Sequence, residues 1–279
     1  MWRNLLALVC LLTIASLASA AGLEVYLPLD GNVNDYSGNG NNGVLVDGAA
    51  GTNAWTTGVV NQGLDIGLTA GNNEANAEAT KTNGDYVSID YTLTDAGTIS
   101  LWYQKSDFDY NYEAVWDNSG TSSNPGDNWE CWIDQWGPGH LYARAPDGSD
   151  GRWSDEVNRA VQTDLNNRAG GYLGEWLHIA VTWNKLDATT MEMNMYLDGV
   201  LVDTSPAMTW QAPGDTFYLG GGHDDNTYGI GAFDELGIWS RELTAAQVQN
   251  VYANGVPEPS TIVLLLIGAV TILLHRRNR

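Results

Sequence analysis

Cysteine is nearly missing from this 279-residue chain, which holds only Cys10 and Cys131. Cys10 lies in an N-terminal run expected to be removed, so Cys131 stands alone and an intramolecular disulfide is excluded. The fold must rest on its apolar core, in which a lone thiol reads as a small buried hydrophobe. Basic residues are scarce too, 12 Lys+Arg against 34 Asp+Glu. Four of the basic residues (Arg3, Arg276, Arg277, Arg279) and one acid (Glu258) sit at the ends. The remaining body keeps 8 basic and 33 acidic side chains, a net charge of −25. Such a field repels nucleic acid and anionic lipid, so no nucleic-acid partner is expected. Catalytic signatures are missing as well. Four histidines form no HExxH or zinc cluster, there is no GxSxG, and Gly220-Gly221-Gly222 lacks the Lys-Ser/Thr of a phosphate loop.

Long apolar runs are confined to the two ends. Arg3 precedes Leu5 to Leu17, and Ala18-Ser19-Ala20 follows as a small-residue cleavage pattern, so residues 1–20 read as a secretory signal peptide. At the other end, Val256-Pro257-Glu258-Pro259-Ser260 leads into the uncharged run Thr261 to Leu274 and then His275, Arg276, Arg277 and Arg279. Two prolines stop a helix and stiffen a linker. Fourteen helical residues reach about 21 Å, short of the usual span of about 20 residues. The basic end stays on the cytoplasmic side, which places the body outside.

This tail, residues 256–279 with a short membrane helix at 261–274, resembles the PEP-CTERM sorting signal. Its Pro-Glu-Pro motif, short apolar helix and terminal arginines occur in that order. The resemblance implies recognition by an exosortase-type membrane protease through Pro257, Glu258, Pro259, Arg276 and Arg277. It further implies an inner-membrane-tethered precursor, then release or transfer to the cell surface or extracellular matrix of a Gram-negative bacterium.

Between the ends, residues 22–255 suit one domain. Short apolar or alternating runs recur between Gly, Asn and Asp clusters: Leu23–Leu29, Tyr86–Ile89, Thr98–Gln104, Trp176–Trp183, Met193–Leu197 and Phe217–Leu219. Asp198-Gly199 reads as a hairpin turn. This pattern predicts an all-β, antiparallel sandwich or jelly roll. One short helix is expected near the end, where Thr244 and Gln247 make a capping box, Val248, Val251 and Tyr252 share a face, and Gly255 and Pro257 stop it. The sandwich edge is its expected seat.

Several pieces in order resemble the laminin-G-like, concanavalin A-like lectin/glucanase superfamily. They are Leu27-Pro28-Leu29-Asp30-Gly31, Asn34 to Gly43, Gly97 to Tyr103, Trp176 to Trp183, Met195 to Gly199 and Ala232 to Thr244. The resemblance implies a two-sheet jelly roll, and Asp107 to Gly171 matches it least, as an insertion would. The catalytic Glu-x-Asp-x-(x)-Glu strand of the glucanases is absent. Glu130 and Asp134 have no third acid at that spacing, and Asp234-Glu235 on a regular strand point to opposite faces. The reading is non-catalytic.

Two sites are expected. Asp30 and Asp35 flank a Gly/Asn-rich turn whose carboxylates and carbonyls suit a hard cation, or else cap nearby backbone N–H groups as turn formers. The resemblance adds Asp234 and the loop carbonyls at Gly38 or Asn39, one structural calcium in all. For carbohydrate, aromatic faces and directed polar groups are needed. The Trp-rich stretch from Trp116 to Trp153 offers Asp127, Trp129, Trp132, Trp136 and Arg144 as a binding groove for a glycan or surface protein. A matrix protein without a small ligand and a polysaccharide-active enzyme are the competing readings.

Overall fold

The computed structural model describes residues 20–46, 54–66, 85–105, 112–118, 129–134, 139–145, 161–210, 212–221 and 231–257. The expected signal peptide, the sorting tail beyond Pro257, and Asp127, Trp136, Glu258, Pro259, Arg276 and Arg277 lie outside them. Among the described residues, no helix is long and apolar enough to cross a membrane.

The strands are β1 (Leu23–Leu27), β2 (Gly43–Val46), β3 (Ala54–Thr57), β4 (Gln62–Ile66), β5 (Tyr86–Ile89), β6 (Ala96–Lys105), β7 (Tyr112–Asp117) and β8 (Glu130–Asp134). They continue as β9 (His140–Arg144), β10 (Val161–Asp164), β11 (Trp176–Lys185), β12 (Thr190–Leu197), β13 (Val200–Thr204), β14 (Met208–Thr209), β15 (Phe217–Leu219) and β16 (Gly231–Trp239). Helix α1 (Ala245–Asn254) follows.

They form two antiparallel sheets. One has nine strands, in the order β13-β12-β11-β6-β16-β4-β3, with β1 on β16 and β14 on β12. The other has seven, β10-β9-β8-β7-β15-β5-β2. The architecture is an all-β sandwich with one short helix, consistent with a jelly roll. The strand β1 is built into the larger sheet through Leu23↔Trp239 and Leu27↔Leu236.

Period-two alternation builds the interior. Ile99, Leu101 and Tyr103 of β6, Leu177, Ile179, Val181 and Trp183 of β11, and Met191, Met193 and Met195 of β12 all enter the core from the nine-stranded sheet. Val87, Ile89, Cys131, Ile133, Leu141, Ala143, Phe217 and Leu219 enter from the other. Cys131 is the buried free thiol expected, and burial pushes its ionisation far up.

Asp198 (φ 50°) and Gly199 (φ 75°) both adopt left-handed backbone, as a two-residue hairpin between β12 and β13 requires. The stretch 107–171 is not an insertion. It carries β7, β8, β9 and β10, four of the seven strands of one wall. Its short runs and interleaved polar residues hide that role in the sequence.

Helix α1 starts on Thr244, whose side chain accepts from the Gln247 backbone N–H while the Gln247 side chain accepts from the Thr244 N–H. It ends on Gly255 at φ 81°. It does not sit on the sandwich edge. Val248 and Val251 join Leu23, Tyr26, Ala180, Tyr196 and Trp239 in a second apolar cluster on the outer face of the nine-stranded sheet. Ala180 is small enough to leave room there, and the helix packs against the rings of Tyr26, Tyr196 and Trp239 around it.

Candidate functional site

On β8 and β9, Cys131, Ile133, Leu141 and Ala143 point into the core. Alternation sends Glu130 and Trp132 of β8, and His140, Tyr142 and Arg144 of β9, to the other face. The register sets Glu130 opposite Arg144 and Trp132 opposite Tyr142. Glu130 and the Arg144 guanidinium form an ion pair. The guanidinium carbon lies 5.7 Å from the Trp132 ring centre, and the Trp132 and Tyr142 rings are 6.3 Å apart. One sheet face thus carries an acid, a cation, two aromatics and, half-buried at its rim, His140.

Glu130 and Trp132 have no solvent exposure, and Tyr142 and Arg144 are nearly closed. A charge pair so far from water holds its geometry strongly, because losing either partner strands the other. Of this group only His140 keeps more than a trace of exposure.

The structure brings Trp132 and Arg144 together and separates Trp129 from them. Trp129 immediately precedes β8, in phase with Cys131 and Ile133, so it points inward. Its ring meets Trp183 at 5.5 Å and Trp210 at 5.6 Å, edge to face, and is fully buried. Its role is packing rather than lining a groove, and Trp132 likewise packs with no open ring face. Glu130, which the sequence offered only as an acid without a catalytic companion, and Tyr142, one aromatic of a dense stretch, are the partners of Arg144 and Trp132 here. The i, i+2 phase against Cys131 and Leu141 was the available signal.

The N-terminal loop and β16 place the residues expected around calcium in two separate arrangements. Asp35 organises its own loop. Its Oδ1 accepts from Tyr26 N at 2.9 Å and Ser37 N at 2.8 Å, and its Oδ2 from Ser37 Oγ at 2.8 Å and Asn41 N at 2.9 Å. Asn39 Nδ2 donates to the carbonyls of Leu23 and Glu24, and Gly38 takes φ 93° in the same loop. Asp30 and Asp234 instead share the β3–β4 turn. Asp30 accepts from Gln62 N and Asn61 Nδ2, and Asp234 Oδ2 from Val59 N at 2.7 Å and Val60 N at 2.9 Å. As one donor set these residues do not fit a calcium ion, and among the described residues no three His, Cys, Asp or Glu gather in a metal-holding group.

Asp234 and Glu235 do not point to opposite faces. Between Asp234 and Gly237 the register of β16 against β6 slips by one residue, and Glu235 takes φ 54°. This bulge keeps Phe233, Leu236 and Ile238 in the core and leaves both carboxylates on the outer side. Tyr26 Oη donates to both oxygens of Glu235 at 3.0 and 3.1 Å. Burial raises the Asp234 carboxyl to about 7, with the Glu235 charge adding to it and the amides of Val59 and Val60 opposing.

A Ser–His pair lies under helix α1. Ser100 Oγ is 2.9 Å from His178 Nε2, but both are buried and His178 is flanked by Trp102 and Tyr252 at 5.2 and 5.5 Å. Asp198 accepts from the His178 backbone N–H and from Arg168 Nε. Closed to solvent and without a carboxylate on the second ring nitrogen, the pair is structural. Burial lowers the His178 imidazole to about 4, against the opposing pull of Asp198.

A family profile described as "Concanavalin A-like lectin/glucanases superfamily" matches residues 80–249. The chain belongs to this superfamily. No curated protein matches it. As a superfamily member it shares its fold with domain 4 of AbnA, an extracellular arabinanase of Geobacillus stearothermophilus solved with arabinotriose. That likeness has a TM-score of 0.53 at 18% identity, covering 82% of this chain and 98% of that one. It is also similar to the ligand-binding domain of botulinum neurotoxin serotype D solved with N-acetylneuraminic acid (TM-score 0.54, 15% identity, 86% of this chain and 52% of that one). The receptor-binding domain of botulinum neurotoxin type G gives a TM-score of 0.55 at 15% identity, covering 84% and 51%. The chain spans about half the length of these toxin domains. At such identities the likeness is one of fold.

Proposed function

We propose that this protein is an exported, non-catalytic binding module that recognises a glycan, either free or carried on a surface protein. The observation that carries the reading is the Glu130–Arg144–Trp132–Tyr142 group on the outer face of the seven-stranded sheet. It sets directed polar groups beside aromatic rings, the kinds of side chain that sugars need, with the half-buried His140 as its most open member. Superfamily membership supports it, as do fold relatives solved with arabinotriose and with N-acetylneuraminic acid. Glu130 is paired with Arg144 and closed to solvent, an arrangement unsuited to a glycosidase acid. The charge of −25 between the termini favours neutral over anionic glycans.

Export follows from the signal peptide expected at 1–20. Sorting to the surface or matrix by an exosortase-type protease follows from the Pro257-Glu258-Pro259 tail, with membrane contact through 261–274 before processing. A glycan-array screen of the purified protein tests the binding. Affinity for a neutral oligosaccharide that falls at least tenfold in Tyr142→Phe, with unfolding unchanged, is the expected result. Silence across the array would turn the assignment to a matrix protein without a small ligand. For the tail, alanines at Pro257, Glu258 and Pro259 should hold the protein in the inner-membrane fraction.

A further inference from the structure

We infer that this chain fastens its β3–β4 hairpin to β16 without a metal, at the corner where its family resemblance implies calcium. N–H groups already occupy the carboxylate oxygens that a cation would need. Asp234 Oδ2 is held by the N–H groups of Val59 and Val60, Asp30 by Gln62 N at 2.8 Å and Asn61 Nδ2 at 2.9 Å. Both oxygens of Asp35 are filled in another loop.

A calcium ion sits about 2.3–2.6 Å from six to eight oxygens. Beside Asp30 or Asp234 Oδ2 it would face the positive ends of these N–H dipoles. Asp234 Oδ1, which takes no hydrogen bond, is a single ligand and far from that number. The hairpin backbone fills the adjoining space as well. A Cβ on Gly58 would stand 2.5 Å from both Asp234 Oδ2 and the Gln62 carbonyl oxygen, so Gly58 lets the chain press against the carboxylate. Asn61 completes the turn at φ 49°, a left-handed conformation that Asn tolerates. Two carboxylates therefore bind four donors of one turn, doing the cross-linking work of a cation.

Thermal unfolding of the full chain in mild detergent, with about 10 mM calcium and then with chelator, tests this. The expected result is the same Tm in both, and an equal drop of a few degrees in Asp30→Asn under either condition. A resident calcium near a hundredfold over its dissociation constant would instead raise Tm by about 5 to 10 °C. If calcium gives such a rise and it vanishes in Asp30→Asn or Asp234→Asn, the inference is overturned. A rise that survives in both variants places calcium elsewhere and leaves this corner as inferred. Asp30 is the primary variant because it is only half-buried, whereas Asp234 is fully enclosed.

Discussion

The two sheets solve the same problem in different ways. Each has one face in the common core and a second face to cover. The nine-stranded sheet covers its outer face with its own chain, docking helix α1 on Ala180, Tyr196 and Trp239 and stacking Tyr252 on Trp102 at 5.5 Å. The seven-stranded sheet places a charge pair and aromatics there, Glu130 with Arg144 beside Trp132 and Tyr142. Apolar cover contributes stability and asks for nothing in return. A buried ion pair contributes little net stability after desolvation, although removing one partner alone is costly. Both outer faces are closed to solvent where these residues sit, one by apolar packing and the other around a charge pair.

Four measurements sharpen or break that contrast. The largest effect is expected from Glu130→Gln, which removes the charge that faces the buried Arg144 guanidinium. Urea unfolding should show a loss of about 3–5 kcal/mol, most of it recovered when Arg144→Met is added. If the single change is silent, the pair is not as closed as it stands in the structure.

Next comes pH. His178 is held at about 4 in the fold, below its ordinary 6.5, so the unfolded chain takes up the proton first as pH falls. Its contribution is complete above about 6.5 and is lost toward pH 4, about 3 kcal/mol in total. The difference in Tm between the native chain and His178→Phe should follow this slope, because Asp234, raised to about 7, titrates in the same window with the opposite sign in both proteins and cancels from the difference.

The helix cap is smaller. Thr244→Ala should cost about 1 kcal/mol by denaturant unfolding, because the Gln247 N–H loses its acceptor. The smallest effect belongs to Lys185 and Asp95, 3.1 Å apart with the Asp95 side chain 71% exposed. Asp95→Asn should change stability by less than about 1 kcal/mol, an effect that salt removes.

Much of the nine-stranded sheet was legible. Its central strands β6, β11 and β12 are long and alternate, the last ends on the turn Asp198-Gly199, and the capping box at Thr244 and Gln247 marks the helix directly. The other wall was harder. Strands β8, β9 and β10 have five, five and four residues, and their polar positions dilute the apolar signal. Trp129 and Trp132 looked alike as members of one aromatic stretch. Their three-residue separation puts them on opposite faces of an extended chain, which only a fixed strand phase reveals. Asp234-Glu235 failed for the opposite reason, since strict alternation is broken by a bulge that no local residue announces.

By itself, the sequence determined the all-β class, the apolar interior without a disulfide, the capped C-terminal helix, and the superfamily. The first three follow from composition, periodicity and turn chemistry, which act within a few residues, and the superfamily from the resemblance of motifs in their order along the chain. Only the tertiary structure decided that Arg144 meets Glu130, that Asp30 and Asp234 grip one turn, and that the helix lies on a sheet face. Those outcomes depend on strand register, on a one-residue bulge and on which side chains leave room, all of them set by pairing between segments far apart in the chain.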